Sequence, residues 1–303
     1  MFFRRLRGAD PVTHDPVLQN YRFTNVYRAS DRVSQYLIRD IIPASTSDTV
    51  DRFFRILLFK FFNRITTWER LRERVGEPHP ENYDAVRYGA VLDEMMSAGE
   101  RVYASAYIMP APPFGYVRKH ANHLQLLKTM LADGLPERVA AAPSLQSVYE
   151  ALLAYPSVGP FLAFQFAIDL NYSTLTNFEE SEFVVAGPGA RDGIGKCFED
   201  PAGASEADII TAMAESAPDE FARLGLEFIP LWGRMPQLID YQNVFCEVGK
   251  YARHAHPGVR GTSDRTRIKQ VYRRNGAPLV PAYPAKWLLR APVAGVPNPF
   301  AAA

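Results

Sequence analysis

Residues 144–170 read SLQSVYEALLAYPSVGPFLAFQFAIDL, and the fold turns on how they are read. An apolar helix through Tyr155, the turn Pro156-Ser157-Val158-Gly159-Pro160 and a second apolar helix make a helix-hairpin-helix pattern. In such a pattern a glycine lets the backbone close on a DNA phosphate, and the amides that open the second helix donate to it. An ordinary helical hairpin also takes glycine in its turn. The DNA-binding reading is preferred, with Ser157 and Gly159 as phosphate contacts.

Outward from the hairpin the chain reads as mainly α. Residues 47–65, SDTVDRFFRILLFKFFNRI, are apolar enough to require a helix deep in the core. Helical patterns follow at 66–75, 82–98, 119–133 and 144–154, with MPAPPFG at 109–115 as a surface loop. His120 and His123 share one helix, but no second ligand pair stands at metal-site spacing, so no metal is expected. After the hairpin comes NFEESEFVVAGPGARDGIGKCFEDPAG, read as a Gly-rich loop. A phosphate-binding loop needs G-x-x-x-x-G-K-[ST]; here Ala190 stands at the first glycine and Cys197 follows Lys196, which excludes a self-contained nucleotide kinase of that kind. Residues 205–225 suggest two short helices, SDRTRIKQVYRR a basic helix capped by Ser263, and 275–303, with six prolines, a C-terminal arm. Residues 1–274 are expected to form a single helical domain of two packed lobes.

At 303 residues, with 47% apolar and 22% charged side chains, the chain is globular in composition. It has no membrane-length apolar run and no signal-peptide pattern, and an intracellular, cytoplasmic protein is expected. Cys197 and Cys246 are read as small buried hydrophobes and not as a disulfide. The net charge of +1 is unevenly spread: from Lys250 onward ten Lys or Arg oppose Asp264 alone, leaving the rest acidic by eight. That polarity suits a polyanion held on one side, with Arg265, Arg267 and Lys269 as contacts. Near the N-terminus Arg22, Asn25, Arg28, Asp31 and Arg32 crowd among Tyr21, Phe23 and Tyr27. The mixture suits phosphate contact through Arg28 and Arg32, and equally a packed loop held by Arg–Asp pairs.

Met235–His256, MPQLIDYQNVFCEVGKYARHAH, reads as a helix stopped by His256-Pro257. Asp240, Asn243, Glu247, Lys250 and His254 fall on one face at steps of three and four. A solvated face with a Glu247–Lys250 pair is one reading; a catalytic face is the other.

Four segments, YRFTNVYRASDRVSQYLI, YPSVGPFLAFQFAIDLNYS, FVVAGPGARDGIGKCF and LIDYQNVFCEVGKYAR, together resemble a family of DNA base-hypermodification proteins. It includes the helical domain of 5-hydroxymethyl-deoxyuridine DNA kinases and the alpha-glutamyl/putrescinyl thymine pyrophosphorylases. The resemblance implies a helix-hairpin-helix DNA glycosylase-like fold and action on modified bases in phage DNA, by installing adducts on thymine or, in a bacterial relative, by excising a glucosylated hydroxymethylcytosine in antiphage defence. The acid of repair glycosylases falls here at Glu179 or Glu180, and the resemblance points to Asp240 as the family's acidic residue.

The leading expectation is therefore a DNA glycosylase that flips out a bulky modified pyrimidine and leaves an abasic site. Asp240 would stabilise the oxocarbenium or position water, Asn243 and Glu247 would hold base or water, and Lys250 would be a weaker Schiff-base candidate. Gly187, Gly189, Arg191 and Glu180 would line the base pocket. The expected partner is double-stranded DNA with modified bases, bound by a monomer without cofactor. The alternatives are a transferase adding an amine to activated 5-hydroxymethyluracil in DNA, and a non-catalytic DNA-binding partner of a 5-hydroxymethyl-deoxyuridine DNA kinase.

Overall fold

The computed structural model describes residues 1–6, 8–199, 203–273 and 280–289. Thirteen α-helices stand among the described residues: α1 Phe2–Leu6, α2 Pro16–Asn20, α3 Arg32–Tyr36, α4 Thr49–Phe62, α5 Ile65–Val75, α6 Ala85–Ser97, α7 Lys119–Ala132, α8 Leu135–Ala140, α9 Leu145–Leu153, α10 Pro160–Asn171, α11 Pro188–Cys197, α12 Glu206–Arg223 and α13 Leu238–Ala255. Two isolated antiparallel bridges, Tyr21 with Val271 and Leu231 with Arg234, are the β structure among them. The architecture is thus mainly α, and no helix of the described residues is long and apolar enough to cross a membrane. Of the Pro-rich arm, residues 275–279 and 290–303 lie outside the described residues, as do Arg274 and Arg290 of the basic run.

The chain falls into two compact units, one continuous from Arg32 to Glu179, the other built from Met1–Asp31 together with the chain from Glu180 onward. In the continuous unit α4 is the centre. Asp48 caps it by accepting from the Asp51 amide at 2.8 Å, and Asn63 ends it in the left-handed region at φ 50°. Phe53, Phe54, Ile56, Leu57, Leu58 and Phe59 are all buried, each worth about 1.5–3 kcal/mol relative to exposure. Lys60 lies in the same core, 3.2 Å from the buried Asp169 of α10, and donates to Asn63 at 2.7 Å. The pair is matched inside the unit, which is what allows two charges to stay there.

The hairpin forms as α9 and α10, with Ser144 capping the first helix and Gly159 and Pro160 opening the second. The backbone reversal, however, is made by Ser157 at φ 64°, whereas Gly159 is extended at φ −76° with open space where a Cβ would go. Neither conformation nor packing within the chain requires glycine there.

Four sequence expectations need correction in the other unit. Residues 188–197 are helix α11 and not part of a Gly-rich loop. Each interior glycine costs about 1 kcal/mol of helix propensity, and close packing on α13 offsets it. A Cβ on Gly193 would stand 1.9 Å from the Phe245 carbonyl oxygen, one on Gly189 2.9 Å from Cys246 Sγ, and one on Gly249 2.9 Å from the Gly193 Cα. Residues 206–223 are one helix that runs through Pro218, where two were expected; Ser205 and Asp208 form its capping box. Residues 263–273 form no helix, and Ser263 is not a helix cap: its amide donates to Asp192 at 3.0 Å. Downstream, the Arg22 amide donates to Gln270 O and the Tyr272 amide to Asn20 O, both at 2.9 Å. Both cysteines are free, and Cys197 is exposed, contrary to the buried role expected of it; Cys246 is half-buried.

Replacing Gly193 by Ala should cost more than about 3 kcal/mol of unfolding free energy in urea, the scale of a core overpacking that has no room to relax. Gly159→Ala should stay within about 0.5 kcal/mol of the wild type, as a surface change at a compatible backbone angle does. Equal stability of the two variants would refute the backbone contact between α11 and α13.

Candidate functional site

The polar face of α13 is neither bare nor solvated, because the extended segment Tyr21–Arg28 lies along it in the opposite direction. From the C-terminal end of the helix, His254 packs on the Tyr21 ring at 4.4 Å between centroids, and the Lys250 ammonium sits over Phe23 at 4.6 Å. Glu247 accepts the Thr24 amide at 3.1 Å and pairs with Lys250 at 2.6 Å. Asn243 accepts the Thr24 hydroxyl at 3.3 Å and donates to Asn25 O at 2.6 Å. Last, Asp240 Oδ1 accepts the Arg28 amide at 2.7 Å while Oδ2 accepts the Gln237 amide at 2.9 Å. Helical spacing put these five side chains in a row, and the row reads backbone amides and rings of its own N-terminal segment.

Asp240 is the most perturbed member. Burial pushes its carboxyl pKa up to about 6, against the lowering effect of the Gln237 and Arg28 amides and the charges of Arg234 and Arg28. Tyr27, beside it, is raised by burial first and by the Asp240 charge second, and donates to Ile229 O at 2.8 Å. Glu180 is buried, 3.6 Å from Arg234, and its carbonyl accepts the Leu238 amide at 3.3 Å, so it lies at the start of α13 with Asp240. Arg191 is exposed on α11, 3.6 Å from Glu206. Gly187 is the buried N-cap of α11, and a Cβ on Gly189 would stand 2.9 Å from Cys246 Sγ, so the missing side chain at 189 serves helix packing.

Asp192 was not anticipated. It is buried, accepts from Lys196 at 3.1 Å and from the Ser263 amide at 3.0 Å, and lies 3.5 Å from Arg253. Burial acts to raise its pKa, but the hydrogen bonds of Lys196 and Ser263 and the Lys196 charge outweigh it and hold the carboxyl below its usual range. Lys196, the lysine of the failed phosphate-loop pattern, also donates to Gly249 O at 2.9 Å, so it ties helices together. The Asp at i and Lys at i+4 in RDGIGK was the available signal, hidden by the expectation of a loop.

From this anchor the chain runs out as the irregular segment 263–273. Within it Ile268 is buried while Arg265, Arg267 and Lys269 are all exposed, so three cations stand close together in sequence at the surface. No ion pair engages them among the described residues. Of the other expected phosphate contacts, Arg28 is buried at 3% exposure, which removes it from any surface set. Arg32 is exposed at the start of α3. Ser157 and Gly159 lie in the hairpin of the other unit, where Pro160 lacks an amide and Phe161 and Leu162 supply the first free N–H groups of α10. His123 is likewise engaged, with Tyr103 and Pro110 each at 2.8 Å, and burial lowers its pKa to about 4.

Comparison with known proteins bears on this geometry. The family described as "5-hmdU DNA kinase, helical domain" matches residues 1–261. This chain belongs to that family. The matched residues include the Tyr21–Arg28 segment, the hairpin, α11 and α13, and end just before Ser263. A "5-hmdU DNA kinase" of Bacillus phage SP10 is 29% identical over 272 residues, covering 83% of this chain and 42% of the relative. The chain therefore spans less than half the length of that curated relative. No solved structure matches.

The raised pKa of Asp240 fixes a sign. A carboxyl that holds its proton more tightly when folded contributes most stability below its unfolded pKa, and that contribution is lost as pH rises toward about 6. Between pH 4 and pH 6.5 the wild type should lose roughly 2 kcal/mol that the Asp240→Asn variant does not lose. The difference between the two urea-unfolding profiles across this window measures it, and parallel profiles would show that Asp240 is not perturbed.

Proposed function

We propose that this chain is a DNA-engaging helical module of thymine hypermodification, one that holds duplex DNA carrying 5-hydroxymethyluracil or its phosphorylated form. The observation that carries the reading is the family match over residues 1–261. The kinase relative is more than twice as long as the part matched here, and Lys196, in the segment nearest to a phosphate-binding loop, is buried in an ion pair. Both favour a role in holding the DNA substrate over phosphoryl transfer by these residues. The strip Arg265, Arg267, Lys269 supplies the sequence-independent attraction to phosphates, and the hairpin with Ser157 and Gly159, together with Arg32, offers a second set of contacts. The comparisons favour this over base excision, since neither matched name is that of a glycosylase.

Group transfer at the C5 methylene of an activated hydroxymethyluracil is a second reading, and Asp240 favours it. A carboxyl with a pKa of about 6 can move a proton at neutral pH, provided its two amide partners release it. Asn243, Glu247 and Lys250 would then act through the segment they hold and not on substrate directly.

Fluorescence anisotropy with duplexes containing thymine, 5-hydroxymethyluracil or its phosphate ester should show preferential binding to the modified DNA. Neutralising Arg265, Arg267 and Lys269 to Gln should reduce the slope of log affinity against log salt by roughly 2–3, near 0.9 for each phosphate that is no longer neutralised. Nucleoside mass spectrometry of the same mixtures separates the readings. Unchanged bases support the binding module, adducts formed with an added amine support transfer, and abasic sites would overturn both in favour of excision.

A further inference from the structure

The turn Leu231–Arg234 is closed by two hydrogen bonds, Leu231 N to Arg234 O at 2.9 Å and the reverse at 3.0 Å. Its two central residues, Trp232 at φ 47° and Gly233 at φ 93°, both have positive φ. Glycine takes that conformation freely, whereas for a tryptophan it is strained, and such strain persists where the surroundings impose it, often at ligand sites. Trp232 is held between Phe3, 5.5 Å away edge-on, and Tyr283, 5.6 Å away. Beside it Arg234 is fixed by the buried Glu180 at 3.6 Å, and its guanidinium carbon lies 4.0 Å from the centroid of the Trp287 ring. Tyr283 stacks on Trp287 at 6.2 Å and 21°, and its hydroxyl meets Ser30 at 2.8 Å.

Two features of this cluster point outward. Trp232 and Arg234 lie inside the family match, whereas Tyr283 and Trp287 come from residues 280–289, beyond its limit at residue 261. Their interaction is also of one kind: a flat π-system laid against a guanidinium whose own ion pair holds it in place. A nucleobase offers the same flat face, and base stacking on Trp and Arg is tolerant of sequence.

We propose that the Trp232–Arg234 turn is a stacking site for an unpaired or flipped DNA base, and that in the DNA-free chain Trp287 occupies the base's place. The inference rests on the DNA-engaging reading above and adds to it the element that takes the base, while the cationic segment takes the backbone. DNA binding then requires the 280–289 segment to leave Arg234. The apparent affinity is lowered by the fraction of chains in which Trp287 covers the site.

The test uses the full chain and a gapped duplex with one unpaired 2-aminopurine, labelled separately so that anisotropy reports binding and aminopurine emission reports stacking. Wild type should quench the aminopurine, and Trp232→Ala should bind with the quenching largely lost. Trp287→Ala should bind roughly fivefold more tightly or better, with quenching kept. Should Trp232→Ala fail to fold by circular dichroism, Arg234→Lys takes its place, since it keeps the charge and loses the planar face. Binding without quenching in the wild type, or a Trp287→Ala variant no tighter than the wild type, would overturn the stacking site and leave the DNA-engaging reading intact. Failure to bind any DNA would overturn both.

Discussion

Backbone meets backbone where α11 crosses α13, and much of the unit formed by the two chain ends depends on that closeness. With Gly193 pressed on Phe245 and on Gly249, there is no layer of side chains between the helices. Asp192 is thereby buried at the seam, where its carboxylate must find partners or cost several kcal/mol. It finds Lys196, Arg253 and the Ser263 amide, and in doing so fixes the point from which the cationic segment departs. The opposite side of α13 receives the Tyr21–Arg28 segment. One helix thus holds the N-terminal segment on one face and the root of the basic segment on another.

Elements that owe their form to apolar burial could be read in the sequence. α4 is so rich in Phe, Leu and Ile that nothing but a central helix could absorb it, and the paired apolar helices around Pro156–Pro160 are bounded by residues with strong local preferences. Misreadings arose where one residue type serves two ends. Glycine in 187–195 signals a loop by propensity, but two glycines on one face, Gly189 and Gly193, also allow helices to touch, and only the partner helix decides. The basic stretch 263–273 has no apolar period strong enough to specify helix or strand; its course is set by Asp192 and by pairing with residues 20–22, neither close in sequence. The polar row on α13 was visible as a row. That its partner would be the chain itself depends on a segment more than two hundred residues earlier, which spacing within the helix cannot reveal.

The same facts shape the functional reading. A face of Asp, Asn, Glu and Lys resembles a catalytic constellation in composition, but here its hydrogen bonds are largely taken by amides and carbonyls of residues 24–28. What is exposed is of another kind: Arg265, Arg267 and Lys269 in the segment that leaves Asp192. Those are the groups on which the proposed DNA-engaging role rests, in a chain that belongs to the helical-domain family of a longer kinase.

The two-ended construction of one unit also sets an order of events during synthesis. Residues 32–179 are contiguous and can close their core as soon as they leave the ribosome. The Thr24 amide must wait for Glu247, 223 residues later, which at 5–20 residues per second is roughly 10–45 s. For that interval Tyr21, Phe23 and Tyr27 have no helix to lie on, although residues 32–179 have all been made. The nascent chain thus carries an unpaired aromatic strand ahead of a fully synthesised unit, the form of intermediate that chaperones bind and that a slower stretch of translation before α13 would expose for longer.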